Sequence, residues 1–311
     1  VLTVLSAKPL VPATPAKDAK TSGRRTAFAE WLTQPDHPLT ARVWVNRMWL
    51  HHFGEGLVAT PDNFGHSGSA PSHPELLDWL ACEFASPAKP QAAWSVKNMH
   101  RLILTSRTYR QSSRIAETTA KAADPEDRLL WRQRMRRLEA EPLRDAVLAV
   151  AGNLNPQAFG PPVAMVRQGN GEVVVPGDAD GHRRSIYLQV RRSQPLTLLQ
   201  VFDQPVMETN CTRRGVSTVA SQALTLLNSD FLIRQAEVLA ARVQREEPND
   251  VVDHAIYLAF GRPATTTEKT KMTAFLSEQK ARYGTAPDAA NKALADLCQM
   301  LLSSNEFAYV D

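Results

Sequence analysis

The chain has 311 residues, 43% hydrophobic and 22% charged, with a formal net charge of +4 and a pI of about 9.0. This is an ordinary globular composition, with room for one large domain or two modest ones. The basic excess is too small to argue for nucleic-acid binding, and no run of about 18 apolar residues is present to cross a membrane as a helix.

Residues 1–22 are rich in Pro, Ala and Lys and carry no apolar period, so they read as a linker arriving from an upstream domain. Residues 23–311 read as a single mainly helical domain, with 23–152 and 153–311 as candidate sub-domains. Thr21 or Ser22 caps a helix over 24–33 that turns Phe28, Trp31 and Leu32 inward. Pro38 suits the first turn of a second helix, which runs to Phe53 and stops at Gly54. A long loop to Pro71 follows, with four Gly and two Pro. Ser72-His-Pro-Glu75 has the form of a capping box, and Leu76, Leu77, Leu80, Ala81 and Phe84 continue at helical spacing. Ser95 caps the next helix, striped by Val96, Met99, Leu102 and Ile103.

Residues 111–123 are polar and unpatterned, and 124–152 are rich in Arg. Strand signals occur at Glu172–Val175 and Ser185–Val190. The turn-rich 176–181 between them predicts an antiparallel hairpin near 172–190. Helical periods then cover 216–228, 230–246 and 250–260. A second capping box, Thr265-Thr-Thr-Glu268, opens a helix to Tyr283, and 288–304 forms the last. The expected class is mainly α, with one small antiparallel β-hairpin element.

Site-type residues gather in 36–79. This segment holds five of the eight histidines (His37, His51, His52, His66, His73) and three of the six tryptophans, with Asp62, Asn63, Glu75 and Asp78 between them. Imidazoles and carboxylates transfer protons and bind metals. The expected catalytic set is His51, His52, His66, His73 and Asp62. A divalent metal such as zinc would take His51, His66, His73 and Glu75, although no HExxH or HxH spacing supports it. Core packing and helix capping are the competing uses of these histidines. Gly65-His-Ser-Gly-Ser69 is not the serine nucleophile elbow, since its order differs and no strand precedes it.

Arginine outnumbers lysine, 26 to 10. Arg183 and Arg184 open a predicted strand and Arg191 and Arg192 close it, so one of each pair can face a cleft and clamp sulfate, phosphate or uronate. Trp49 is a candidate stacking surface for a sugar, against its commoner use in a core. Ion pairing with Glu139, Glu141, Asp145 and Asp203 is the favoured use of the arginines in 132–144. Cys82, Cys211 and Cys298 are far apart and form no CxxC pair. Cys82 and Cys298 sit in apolar helical patterns and read as core residues.

Several phrases carry a resemblance: RRTAFAEWLTQPDHPLTARVWVNRMWLHHFGEGLVATPDNFG at 24–65, PSHPELLDWLA at 71–81, RRSIYLQVRRS at 183–193, QALTLLNSDFL at 222–232, LAFGRPATTTE at 258–268 and LLSSNEFAYVD at 301–311. They resemble the C-terminal domain of unknown function of large secreted multi-domain proteins of planctomycetes, where it follows a cytochrome-c-like domain and a second uncharacterised one. The resemblance implies an extracytoplasmic setting and upstream domains of the same polypeptide as partners. It transfers no activity and no catalytic residue, and the haem motif of the full-length proteins is absent here. Two functions are expected. One is a hydrolase of ester-type bonds in anionic or polysaccharide-derived substrates. The other is a non-catalytic binding or scaffolding module of a large surface protein.

Overall fold

The computed structural model describes Leu10 and residues 21–115, 118–177, 180–207 and 210–310. The predicted linker therefore lies outside the described residues, apart from Leu10, Thr21 and Ser22. Among the described residues, helices dominate, and the β-strands form two small antiparallel two-stranded sheets. The chain divides into two compact units, one ending at Met135 and one spanning Arg136–Val310. The division falls inside the Arg-rich segment 124–152, because the apolar face of the helix Ala140–Ala151 belongs to the second core.

The N-terminal unit holds α1 (Arg24–Leu32), α2 (Thr40–Phe53), α3 (Pro74–Ala85), α4 (Val96–Leu104) and α5 (Thr118–Ala123). The start of α2 is set by His37. Its Nδ1 accepts the backbone N–H groups of Leu39 and Thr40 at 3.3 and 3.1 Å and the Thr40 hydroxyl at 2.9 Å. Nε2 then carries the proton, and the ring meets Trp31 edge-on at 4.4 Å. Gly54, at φ 80°, ends the helix in the left-handed conformation glycine tolerates.

This capping requires a neutral ring. Burial lowers the His37 pKa, with Asp36 opposing. A histidine depressed in the fold takes up its proton more readily when unfolded, so its contribution is whole above about pH 6.5 and is lost as the pH falls below that. The wild type should therefore lose more stability between pH 7 and pH 5 than His37→Asn, whose amide oxygen caps without titrating. Urea midpoints at both pH values measure this, and parallel losses would refute it.

Within the unit, Val45, Met48, Trp49 and Phe53 of α2 pack with Leu77, Leu80, Ala81 and Phe84 of α3 and with Met99 and Ile103 of α4. Asn46, fully buried, fastens the following loop to α2. Its Oδ1 accepts the Val58 N–H at 2.8 Å and its Nδ2 donates to the Val58 carbonyl at 3.0 Å. Gly56 lies against it, and a Cβ there would fall 2.6 Å from the Val58 oxygen and 2.7 Å from the Asn46 amide nitrogen.

Three local expectations are corrected. The Ser72–Glu75 capping box does not form. His73 occupies the cap position of α3 without a side-chain cap bond, Pro74 takes the first helical turn, and the Ser72 hydroxyl instead meets His73 Nδ1 at 2.9 Å. Phe28 is 46% exposed, since α1 turns Ala27 and Trp31 inward. Cys82 is exposed, because it shares the outer face of α3 with Asp78 and Trp79, while Cys298 is buried as expected. By contrast, the Ser95 hydroxyl does accept the Asn98 N–H at 3.3 Å. Ser95→Ala should then cost about 0.5–2 kcal/mol, and Ser72→Ala less than about 0.5 kcal/mol. Denaturant midpoints at constant slope would show the contrast, and equal losses would contradict the cap assignments.

The C-terminal unit contains β1 (Arg136–Arg137), α6 (Ala140–Ala151), β2 (Val166–Arg167), β3 (Val173–Val174), α7 (Thr197–Val201), α8 (Ala220–Asn228), α9 (Asp230–Glu246), α10 (Val251–Phe260), α11 (Thr266–Tyr283), α12 (Ala289–Leu302), α13 (Asn305–Ala308) and β4 (Tyr309–Val310). Helix α9 runs through its core. Leu232, Ala236, Leu239, Ala240 and Val243 recur at helical spacing and pack with Leu143 and Val147 of α6 and with Leu294, Leu297 and Leu301 of α12. The predicted Thr265–Glu268 capping box is present in both directions, with bonds of 3.3 and 2.8 Å.

The predicted hairpin partner is wrong. β3 pairs with β2, in register Val166↔Val174 and Arg167↔Val173, and not with 185–190. Ser185–Tyr187 is a short 3₁₀ turn. On either side of it the chain runs beside 155–163 through two isolated parallel bridges, Asn155↔Arg183 before the turn and Val163↔Leu188 after it. The cause is Ser185. Its N–H and hydroxyl both donate to Asp145 Oδ1 at 2.7 Å, which curls the backbone out of extended form. Asp178 and Ala179 of the predicted turn lie outside the described residues.

Candidate functional site

The histidine-rich segment does not assemble as expected. His51, His66, Asp62 and Glu75 are exposed. His73 lies at the start of α3 against Ser72. Among the described residues, no three His, Cys, Asp or Glu side chains form a group able to hold a metal ion. The quartet His51, His66, His73 and Glu75 is therefore not brought together. His52 is the exception, and its partner lies outside the segment. Its Nε2 sits 2.8 Å from Nδ1 of His100 on α4, and its ring meets Tyr109 edge-on at 5.5 Å. Both imidazoles are half-buried. Only one of the two facing ring nitrogens can carry the proton, so one imidazole donates and the other accepts, according to tautomer. Trp49 is a core residue, 6% exposed and stacked on Phe53 at 4.2 Å, and offers no face to a sugar.

The four arginines of 183–192 do not line one clamp either. Arg183 is 3% exposed. Its guanidinium donates to the carbonyls of Gln157, Phe159 and Pro161 and stacks on Tyr187, 4.4 Å from the ring centre. It holds the 155–163 segment in place. Arg184 is mostly exposed, with its Nε 3.5 Å from Asp145. Arg191 is exposed and bonds the Gln189 side chain at 3.0 Å, and Arg192 is exposed as well.

A different site lies within the C-terminal unit. A cleft of about 210 Å³ opens between the start of α9, the β2–β3 hairpin with the chain that follows it, and the segment around Gly181 and His182. Its apolar wall includes Val173, Val175, Leu196, Leu198, Phe231 and Val238. Its polar groups come from Arg144, Asn153, Gln168, Glu172, His182, Asp230, Arg234 and Gln235.

Arg144, only 2% exposed, anchors this cleft. Nη1 donates to the Arg183 carbonyl at 3.1 Å and to the Ser185 hydroxyl at 3.2 Å, and Nη2 to the Gly181 carbonyl at 2.5 Å. The guanidinium lies over Phe231, 5.6 Å from the ring centre. Its only ion-pair contact among the described residues is Asp145, at 3.6 Å. Burial pulls its pKa down to about 10, with Asp145 opposing, so it stays charged at neutral pH. The Asn153 amide donates to Gln235 Oε1 at 3.0 Å across the same cleft.

From the sequence only His52 of these two centres was singled out as a site residue. For Arg144 the signal was present: Ala140, Val147 and Ala151 share its helical face, so an arginine stands in an apolar stripe. His100 carried none, because its role comes from the packing of α2 against α4. No curated protein and no solved structure matches the chain. One family model matches residues 24–276, described as PSD1, Protein of unknown function (DUF1553).

Proposed function

We propose, from the premise that this chain belongs to the PSD1 family, whose function is unknown, that it is a binding module that holds one small polar ligand unit in the cleft of its C-terminal unit. The observation that carries this reading is the buried, charged Arg144 set against an apolar wall, with amide and acid side chains converging on the same space. Polar groups held in position beside apolar surface are the usual make-up of a ligand site. At about 210 Å³, the cleft is smaller than the roughly 300–1,000 Å³ of pockets for drug-sized molecules, so a single small unit suits it.

The test is ligand-observed NMR with a panel of small polar compounds on the wild type and on Val238→Trp, which fills the cleft from α9. Binding that Val238→Trp abolishes at an unchanged melting temperature supports the reading. If no compound binds the wild type, or the filled variant binds equally well, the reading fails. The setting proposed with it is a larger surface protein outside the cytoplasm, supported only by the likeness of the quoted phrases to planctomycete secreted proteins. Antibody labelling of intact cells would test that setting.

Ester hydrolysis is the second reading, and the half-buried His52–His100 pair is the observation that favours it. A general base there is worth roughly 10²–10⁴-fold in rate. His52→Ala and His100→Ala should each abolish turnover of chromogenic esters without lowering the melting temperature. Turnover that persists in both variants would end this reading.

A further inference from the structure

We infer that the ligand of the C-terminal cleft is a neutral polyhydroxylated unit, a single sugar residue, and not an anion. This inference rests on the binding-module reading above. The cleft contains charge but is balanced: Arg144 and Arg234 are offset by Glu172 and Asp230, and His182 is the remaining titratable group in the lining. A sulfate or phosphate would meet two carboxylates as well as two guanidinium groups.

Arg144, the most deeply placed cation, is not a free clamp. Its terminal nitrogens are already directed at two backbone carbonyls and a hydroxyl. Arg234 is also engaged, its Nε donating to the Asp230 carbonyl at 3.1 Å. Anion recognition by arginine depends on an open fork of donors, which the buried Arg144 does not offer and the exposed Arg234 offers only at its terminal nitrogens, one helical turn from Asp230.

The other polar groups suit hydroxyls. Gln168 carries a donor and an acceptor on one planar amide, and Asn153 and Gln235, bonded to each other at 3.0 Å, keep the Asn153 oxygen and the Gln235 amide N–H groups for a ligand. A hydroxyl also donates and accepts, so an amide and a diol satisfy each other in both directions, and carboxylates such as Glu172 and Asp230 accept from paired hydroxyls. The apolar wall beside them matches the C–H face of a pyranose ring. A small apolar molecule would leave the converging amides and acids unpaired, at a cost in free energy.

The experiment is saturation-transfer NMR and calorimetry on the whole chain, with neutral monosaccharides, a uronate, inorganic sulfate, inorganic phosphate and a small apolar alcohol. A neutral monosaccharide should bind, and both Glu172→Gln and Asp230→Asn should weaken it about tenfold or more, the loss expected for a hydrogen bond to a charged acceptor. Two acidic positions are used because Asp230 also lies in the first turn of α9, and a melting temperature for each variant separates loss of fold from loss of binding. If only sulfate, phosphate or uronate binds, and Val238→Trp abolishes it, the sugar inference is overturned while the binding-module reading stands. The same holds if only the apolar alcohol binds. If nothing in the panel binds, both fail. Sugar binding that survives Glu172→Gln, Asp230→Asn and Val238→Trp lies elsewhere on the chain and overturns the inference.

Discussion

Replacing Asn46 by alanine is expected to lower the stability of the N-terminal unit by about 2–6 kcal/mol. The side chain is fully buried and satisfies both backbone polar groups of Val58. Its removal strands a buried N–H and a buried carbonyl, each costing about 1–3 kcal/mol. Water cannot repair the loss easily, since Asn46 is fully buried and its partner Val58 is only 3% exposed. Asn46→Asp should also fail, because a carboxylate accepts from the Val58 N–H but has no donor for its carbonyl. Gly56→Ala should destabilise the same loop by a different route, through the clash with the Val58 oxygen and the Asn46 amide. Chemical denaturation followed by tryptophan fluorescence measures all three. An Asn46→Ala midpoint near that of the wild type would show that the loop holds without its clasp.

The second large effect is expected at Arg144. Truncation to alanine removes three hydrogen bonds from one buried side chain and takes a cation from beside Asp145. Breaking a buried charged contact of this kind costs about 3–5 kcal/mol. Lysine should not rescue it, since a single ammonium cannot reach three acceptors set out for a planar fork. Reading the loss requires the melting temperature of Arg144→Ala and Arg144→Lys alongside ligand binding. Loss of binding without loss of stability would make Arg144 a ligand contact alone. A fall of less than about 1 kcal/mol would mean that water replaces the guanidinium.

The helices were the legible part of this chain. Gly54 closes α2 at positive φ, and the Thr265–Glu268 box opens α11 where its spacing predicts. Each of these signals acts within one turn of backbone. What the sequence hid depends on contacts across tens of residues. Ser185–Val190 has strand composition, yet Asp145, some 40 positions earlier, draws Ser185 into a turn. Ser72 has the right partner three residues on, but Pro74 and the contact with His73 take the cap away from it. The density of histidines around residues 37–73 was a true feature of composition that did not become one site. His37 caps a helix, His52 pairs with His100, and His51 and His66 are exposed. Arginines read from the sequence as a clamp became, at Arg183, a brace for backbone carbonyls.

The pairing of β1 with β4 has a consequence in time. Arg136 faces Val310 and Arg137 faces Tyr309, and the Leu138 N–H reaches the Ala308 carbonyl at 2.7 Å. The first strand of the C-terminal unit is therefore completed by its last. A ribosome adding about 5–20 residues per second needs roughly 10–35 s to make the intervening chain. Through that interval β1 has an open edge, and α6 can begin to gather α9 before the sheet exists. Closure must wait for the final residues of the unit, so a nascent chain stopped short of them carries an unpaired strand beside a nearly finished core. That edge is only two residues long and carries two arginines, features that blunt it against pairing with another chain, so the final strand closes the unit and the protection during synthesis lies in the shortness and charge of β1.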